Sequence, residues 1–266
     1  QGRRIRILRQ AAELSGLTKY ADASSLLVRL ANDRAWEISG PACRAVARLG
    51  NREIVPTLIS GLNERNDEKA EAVMWSILRL GGTDLREQLK LHLPQTSGME
   101  KFRTTYLLYR LGDPDGKKLM IGLMSEMPTL QLDAAVALGQ DGDVSAMDTL
   151  RQRLRRREDE TEDNLINRAR AAEALIKGGD PAPKGVLQEL MRSSKKKVRL
   201  EVFNLVVRLN NRSMLSLMQS SIENVENPIA AEACVTAVAL GNAGYRARLL
   251  DLRATEEAAI AEKSKR

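Results

Sequence analysis

The sequence predicts an all-α chain, a right-handed α-solenoid of about eight stacked helix-turn-helix repeats of about 31 residues each. Three observations predict it. A Leu-Gly pair, or a close equivalent, returns at a near-constant interval. Apolar and small residues stand in fixed columns before each pair, at helical spacing. A polar residue able to open a new helix follows most of the pairs.

Leu49, Leu80, Leu111, Leu138, Gly178, Leu209 and Leu240 serve as marks, separated by 31, 31, 27, 40, 31 and 31 residues. A period of about 20 to 50 residues is the signature of stacked like units. The short and long steps adjoin, so one connection contracts, the next expands, and the register resumes.

The columns define the first helix of each repeat. Three residues before the marks stand Val46, Ile77, Leu108, Ala135, Leu175, Val206 and Ala237, all apolar. Four before stand Ala45, Ser76, Leu107, Ala134, Ala174, Leu205 and Thr236; seven before stand Ala42, Val73, Thr104, Gln131, Ala171, Val202 and Ala233. Offsets of 3, 4 and 7 lie on one helical stripe, and small residues in it let the next repeat approach closely.

Each first helix then stops. Gly50, Gly81, Gly112, Gly139, Gly179 and Gly241 are expected at the left-handed position that closes a last turn, with Asn210 as the substitute. Asn51, Thr83, Asp113, Asp143 and Asp180 are expected to cap the second helix. Pro114 and Pro181 are expected at first helical positions, where no N–H is needed.

Second helices follow through "EIVPTLISGL", "LREQLKLHL", "DGKKLMIGLM", "VSAMDTLRQRL", "PKGVLQELM", "MLSLMQSSI" and "YRARLLDLR". Upstream, "IRILRQAAELSGLTKYADASSLLVRL" reads as a worn terminal repeat, as expected where an outer face has no neighbour. The organisation is one solenoid domain, 1–266: a worn repeat 1–32, repeats near 33–63, 64–94, 97–127, 128–157, 162–193, 194–224 and 225–256, and a tail 257–266.

These columns resemble the HEAT-repeat family, and "DAAVALGQDGDVSAMDTL" is similar to the short HEAT-like repeat of the phycobilisome-lyase type. Pro41 resembles the proline that kinks the first helix of many HEAT units. The resemblance implies the fold over nearly the whole chain. Such stacks serve as scaffolds, adaptors, chromophore-lyase subunits and nucleic-acid enzymes, so it implies little about activity.

Composition narrows the chemistry. Hydrophobic residues are 43% and charged residues 29%, a globular balance, while aromatics at 3% leave the core to Ala, Leu, Val, Ile and Met. The two cysteines, Cys43 and Cys234, fall six repeats apart and read as small buried residues rather than a disulfide pair. No apolar run reaches the roughly 18 residues of a membrane helix. The chain opens on Gln1 rather than Met, so an upstream segment, with room for an anchor, is expected.

No catalytic, cofactor or metal site is expected. His92 is the single histidine and reads as a half-buried helix-end residue. One His and two distant Cys cannot supply the four ligands of a zinc site. The HEAT-repeat hydroxylases hold iron with several His-Glu pairs, which this sequence lacks. "RLGGTD" and "KGGDPAPKG" read as helix stops rather than phosphate loops.

Charge gives the one candidate site. The net charge is +7, and residues 184–212 hold eight Lys/Arg against two acids. With Arg3, Arg4, Arg6 and Arg9, these segments exceed the whole excess. Lys195, Lys196 and Lys197 fall in the first turn of a helix, after the capping candidate Ser194, where cations oppose the helix dipole. With Arg192 and Arg199 they form a candidate anion- or partner-binding patch, against the plainer reading of a solvated turn. Elsewhere charge reads as structural. Arg48, Arg79, Arg110, Lys177 and Arg208, each just before a mark, read as cations offsetting a helix C-terminus. "RLRRREDETEDN" reads as an exposed charged loop with each sign at its preferred helix end.

Three functions are weighed. The favoured one is a non-enzymatic interaction scaffold or adaptor, holding another protein or peptide on the concave face that second helices would line. It is cytoplasmic, and a variant makes it the cytoplasmic module of a membrane-anchored protein, with "GRRIRILR" as a basic juxtamembrane stretch. Contact with a membrane then runs only through the upstream segment. The second is a HEAT-like nucleic-acid binder of the DNA-glycosylase type. The positive charge agrees, but base handling needs aromatic faces, and Trp36 and Trp75 belong to first helices, away from the concave side. The third, a phycobilin-lyase-like subunit, is implied by the resemblance alone.

Overall fold

The computed structural model describes residues 2–155, 160–210, 230–239, 241–248 and 250–252. Among them every regular element is helical. The helices are α1 (Gly2–Leu17), α2 (Ser24–Ala31), α3 (Trp36–Leu49), α4 (Val55–Ser60), α5 (Asp67–Leu80), α6 (Thr83–His92) and α7 (Gly98–Arg110). They continue as α8 (Gly116–Glu126), α9 (Gln131–Gln140), α10 (Val144–Leu154), α11 (Glu162–Lys177), α12 (Lys184–Met191), α13 (Lys196–Arg208) and α14 (Ala230–Ala239). The all-α helical-repeat architecture is therefore present. The expected second helix "MLSLMQSSI", the mark Leu240, the loop residues Arg156 to Asp159 and the tail 257–266 lie outside the described residues.

The chain divides into two compact units, Gln1–Ala134 and Ala135–Arg266. In the first, the first helices stack in order, α1 on α3, α3 on α5 and α5 on α7, while α2 packs on α3, α4 on α5, α6 on α7 and α8 on α7. In the second, α10 and α12 back α11, and α13 packs between α11 and α14. The expected stripe is the core of both. Of its described members only Gln131 escapes full burial, and Ala42, Ala45, Val46, Ile77, Leu108, Ala171, Leu175, Val202 and Val206 are all sealed from solvent. Small residues set the spacing: a Cβ on Gly16 of α1 would lie 2.7 Å from Ala45 Cα of α3.

The helix stops need corrections. Gly50, Gly81, Gly112, Gly179 and Gly241 have positive φ as expected, although Gly81, with ψ −160°, is not in the left-handed helical region, and Asn210 takes φ 46°. Gly139 does not. It lies inside α9, and the left-handed residue of that turn is Gly142, φ 76°. The first helix runs on because Gly139 lies against Leu150 and Ala174, where it admits close packing.

Asn51 and Asp143 accept the N–H two residues on, as expected of caps. Asp113 and Asp180 make the same bond, to Asp115 and Ala182, but within the turn, since α8 starts only at Gly116 and α12 at Lys184. Pro114 and Pro181 are accordingly turn residues, not first helical positions. Thr83 caps nothing: the residue before α6 is Gly82, with no side-chain bond. "EIVPTLISGL" is shorter as an α-helix than expected, with a 3₁₀ turn on either side of α4.

Candidate binding surfaces

The candidate patch lies at the turn between α12 and α13. Lys195 is the residue before α13, with Lys196 and Lys197 in its first turn. Ser194 does not cap α13: the residue before the helix is Lys195, with no side-chain cap bond, and Ser193 Oγ accepts the Lys195 N–H at 3.2 Å within the preceding turn. The lysines oppose the dipole of their own helix, yet they meet the acidic opening of α11. Lys197 pairs with Glu162 at 3.0 Å, and Lys195 Nζ donates to the Glu160 carbonyl. Arg199 turns back onto the Ser193 carbonyl, leaving its Nε buried without a hydrogen-bond partner. Arg192 is exposed and lines a cleft of about 440 Å³ with Glu160, Gly185, Gln188, Glu189 and Ser193. The five cations therefore share one turn, and much of their charge faces neighbouring acids and carbonyls.

Four of the cations before the marks, Arg48, Arg110, Lys177 and Arg208, have specific partners. Arg48 lies over Trp75 at 5.2 Å and Arg110 over Tyr106 at 5.8 Å. Arg208 grips Glu173 through Nε and Nη2, both at 3.0 Å, and Lys177 adds a contact at 2.9 Å. A second ladder, unmarked in the sequence, joins successive hairpin turns. Arg52 reaches the Gly81 carbonyl and Asp84, Arg86 the Gly112 carbonyl, Lys90 Asp113, and Arg151 Asp180. The helix ends left with unsatisfied carbonyls are thus bridged by the preceding repeat.

Burial alone would raise the Glu173 carboxyl, but Arg208 and Lys177 outweigh it and hold the group below its ordinary 4.5. A depressed folded value means stability that is complete above 4.5 and lost as pH falls through that lower value. Glu173→Gln is expected to be less stable at neutral pH and to lose part of the acid slope below 4.5, read as urea midpoint against pH. An unchanged acid slope would refute this assignment.

His92 ends α6, partly buried, with Nε2 3.0 Å from Glu100. Cys43 and Cys234 are buried free thiols, and burial pushes Cys43 up to about 11. Among the described residues no three His, Cys, Asp or Glu side chains gather as a metal site, and no helix is long and apolar enough to cross a membrane.

Two grooves open in the first unit. Between α6 and α8, over α7, lies one of about 460 Å³. Lys90, Lys101 and Lys118 line it with Asp113, Asp115 and Glu126, while Leu93, Leu119 and Leu123 supply apolar surface. Gly122 faces it with no atom within 4 Å of where a Cβ would stand.

The other groove, about 370 Å³, lies between the first helices α5 and α7 and is lined by Met74, Trp75, Leu78, Met99, Phe102 and Tyr106. Small residues bring α3 and α5 together, as where Gly40 faces Ala72; here large side chains occupy the space between helices instead. Sequence reasoning missed this groove. Its signal lay five residues before the marks, where Arg44, Asp133, Glu173 and Asn204 are polar but Trp75 and Tyr106 are aromatic in consecutive repeats.

No protein-family model matches the sequence, and no curated protein matches it. Among solved structures, human deoxyhypusine hydroxylase in complex with glycerol is similar at 20% identity, over 76% of this chain and 78% of that chain, with a TM-score of 0.35. That neighbour is an enzyme, so the expectation that this chain has no enzymatic activity is withdrawn. A likeness of this degree carries none of the neighbour's activity to this chain.

Proposed function

We propose that the chain is a protein-binding helical-repeat module that takes an extended segment of another protein along its second-helix face. The observation that carries this reading is the α6–α8 groove. It is open along two consecutive second helices, and its apolar floor is edged by both signs of charge. Such an edge offers donors and acceptors to a peptide backbone and its side chains. Three lysines against three carboxylates make no continuous track for a phosphate backbone, which disfavours nucleic acid. The patch of Arg192, Lys195, Lys196, Lys197 and Arg199 is proposed as a separate contact for acidic groups of a partner.

Gly122 gives a clean test. A leucine there meets open space and replaces a mid-helix glycine, so Gly122→Leu is expected to raise stability by up to about 1 kcal/mol while filling the groove. A photo-crosslinking side chain at Lys118 is expected to capture a discrete protein in cells, and Gly122→Leu to abolish that adduct. The same chemistry at the exposed Val235 serves as control. Equal adducts at both positions, or adducts that survive Gly122→Leu, would refute the reading.

A further inference from the structure

Two apolar surfaces of the first unit have no cover. One is the α5–α7 groove, where Trp75 and Met99 remain 37% and 43% exposed. The other is the outer side of α1, where Ile7, Leu14 and Leu17 are 55%, 61% and 66% exposed. Their spacing places all three on one side of the helix, opposite the buried Ala12 and Gly16 that pack toward α3. A solvated helix has no use for such a stripe, and the first contact surface of a partner commonly looks like this.

We infer that the α5–α7 groove receives helix α1 of a second copy of this chain. Charge complementarity selects that occupant and its direction. α1 carries Arg3, Arg4, Arg6 and Arg9 before its one acid, Glu13. The first turns of α5 carry Asp67, Glu68 and Glu71 with one cation, Lys69, which Glu64 pairs at 2.9 Å. Asp67 and Glu71 line the groove together with Arg103, whose guanidinium is held by the Leu62 and Glu64 carbonyls. At the far end of the same helices stand the cations Arg79 and Arg110. Laid parallel to α5, α1 sets its arginines against the acids and Glu13 toward the cations, with Ile7 toward the Met99 end of the groove and Leu14 toward Trp75 and Leu78. The reverse direction would oppose like charges at both ends. The chain's own α1 is packed on α3 and is not available to its own groove.

Each copy then offers both halves of the contact. The association closes as a reciprocal dimer where the geometry returns on itself, and otherwise runs on head to tail. This surface is separate from the α6–α8 groove, so either proposal stands or falls without the other.

Sedimentation velocity on the full chain, over a concentration series at low and high salt, tests it. The wild type is expected to self-associate, less tightly at high salt because exposed charges contribute. Leu14→Asp on α1 and Met99→Lys in the groove, both at exposed positions, are expected to keep the helical circular dichroism and each to raise the dissociation constant about tenfold or more. An equimolar mixture of the two variants is expected to regain association, because one carries an intact groove and the other an intact α1. A wild type that stays monomeric throughout overturns the inference. So does association indifferent to both substitutions, or a mixture no stronger than its components.

Discussion

Gly178→Val is expected to destabilise the second unit by about 3 kcal/mol or more. A Cβ at Gly178 would lie 2.4 Å from the Gly139 carbonyl oxygen and 3.1 Å from Met147 Cε. The first of these is backbone, so no side-chain rotation relieves it, and α9 must move away from α11. The φ of Gly178 is −73°, within reach of any residue, so the requirement is room rather than conformation. The next residue, Gly179, makes the opposite case: φ is +97° and nothing lies within 4 Å of a built Cβ. Gly179→Ala should cost only the backbone strain, about 1–2 kcal/mol, and Gly178→Ala should exceed it. Urea denaturation followed by far-ultraviolet circular dichroism ranks the three variants. If Gly178→Ala were the milder of the two alanines, the close approach of α9 and α11 would be wrong.

That contrast shows why part of the structure was legible in the sequence and part was not. The repeat interval and the buried stripe depend on helical periodicity alone, and Ala42, Val46, Ile77, Leu108 and Val206 are buried where periodicity puts them. Residue identity does not tell a glycine needed for positive φ from one needed for room. By identity Gly139 fits the stop, yet Gly142 occupies it. Partners across repeats were less legible still. The lysines of α13 appear wrongly placed against their own helix, and only the stacking of α13 beside α11 shows the acids they face. The α5–α7 groove depends on two helices failing to close, and one aromatic column of two members is a faint mark for that.

Arg103→Met is the corresponding expectation for the first unit, at about 3 kcal/mol. Arg103 is 7% exposed, and its Nη1 donates to the Leu62 carbonyl at 3.0 Å and the Glu64 carbonyl at 2.6 Å. These carbonyls belong to the connection between α4 and α5, so one guanidinium of α7 fixes a turn two helices away in the stack. Methionine keeps much of the apolar stem but leaves both acceptors without that donor, and an orphaned buried acceptor costs about 1–3 kcal/mol. The third contact, to Asp67 at 3.4 Å, adds little because that carboxylate is 95% exposed. Arg103→Lys should fall between the two, since an ammonium cannot reproduce the planar fork. Arg52→Ala is the control: it also removes carbonyl contacts between turns, but those are solvent-exposed and water can replace them. The discriminating measurement is amide hydrogen exchange at the turn each arginine holds: Arg103→Met should lower protection at the start of α5, and Arg52→Ala should leave protection at the start of α6 unchanged. Equal losses of protection would show that burial of the guanidinium is not what holds the connection in place.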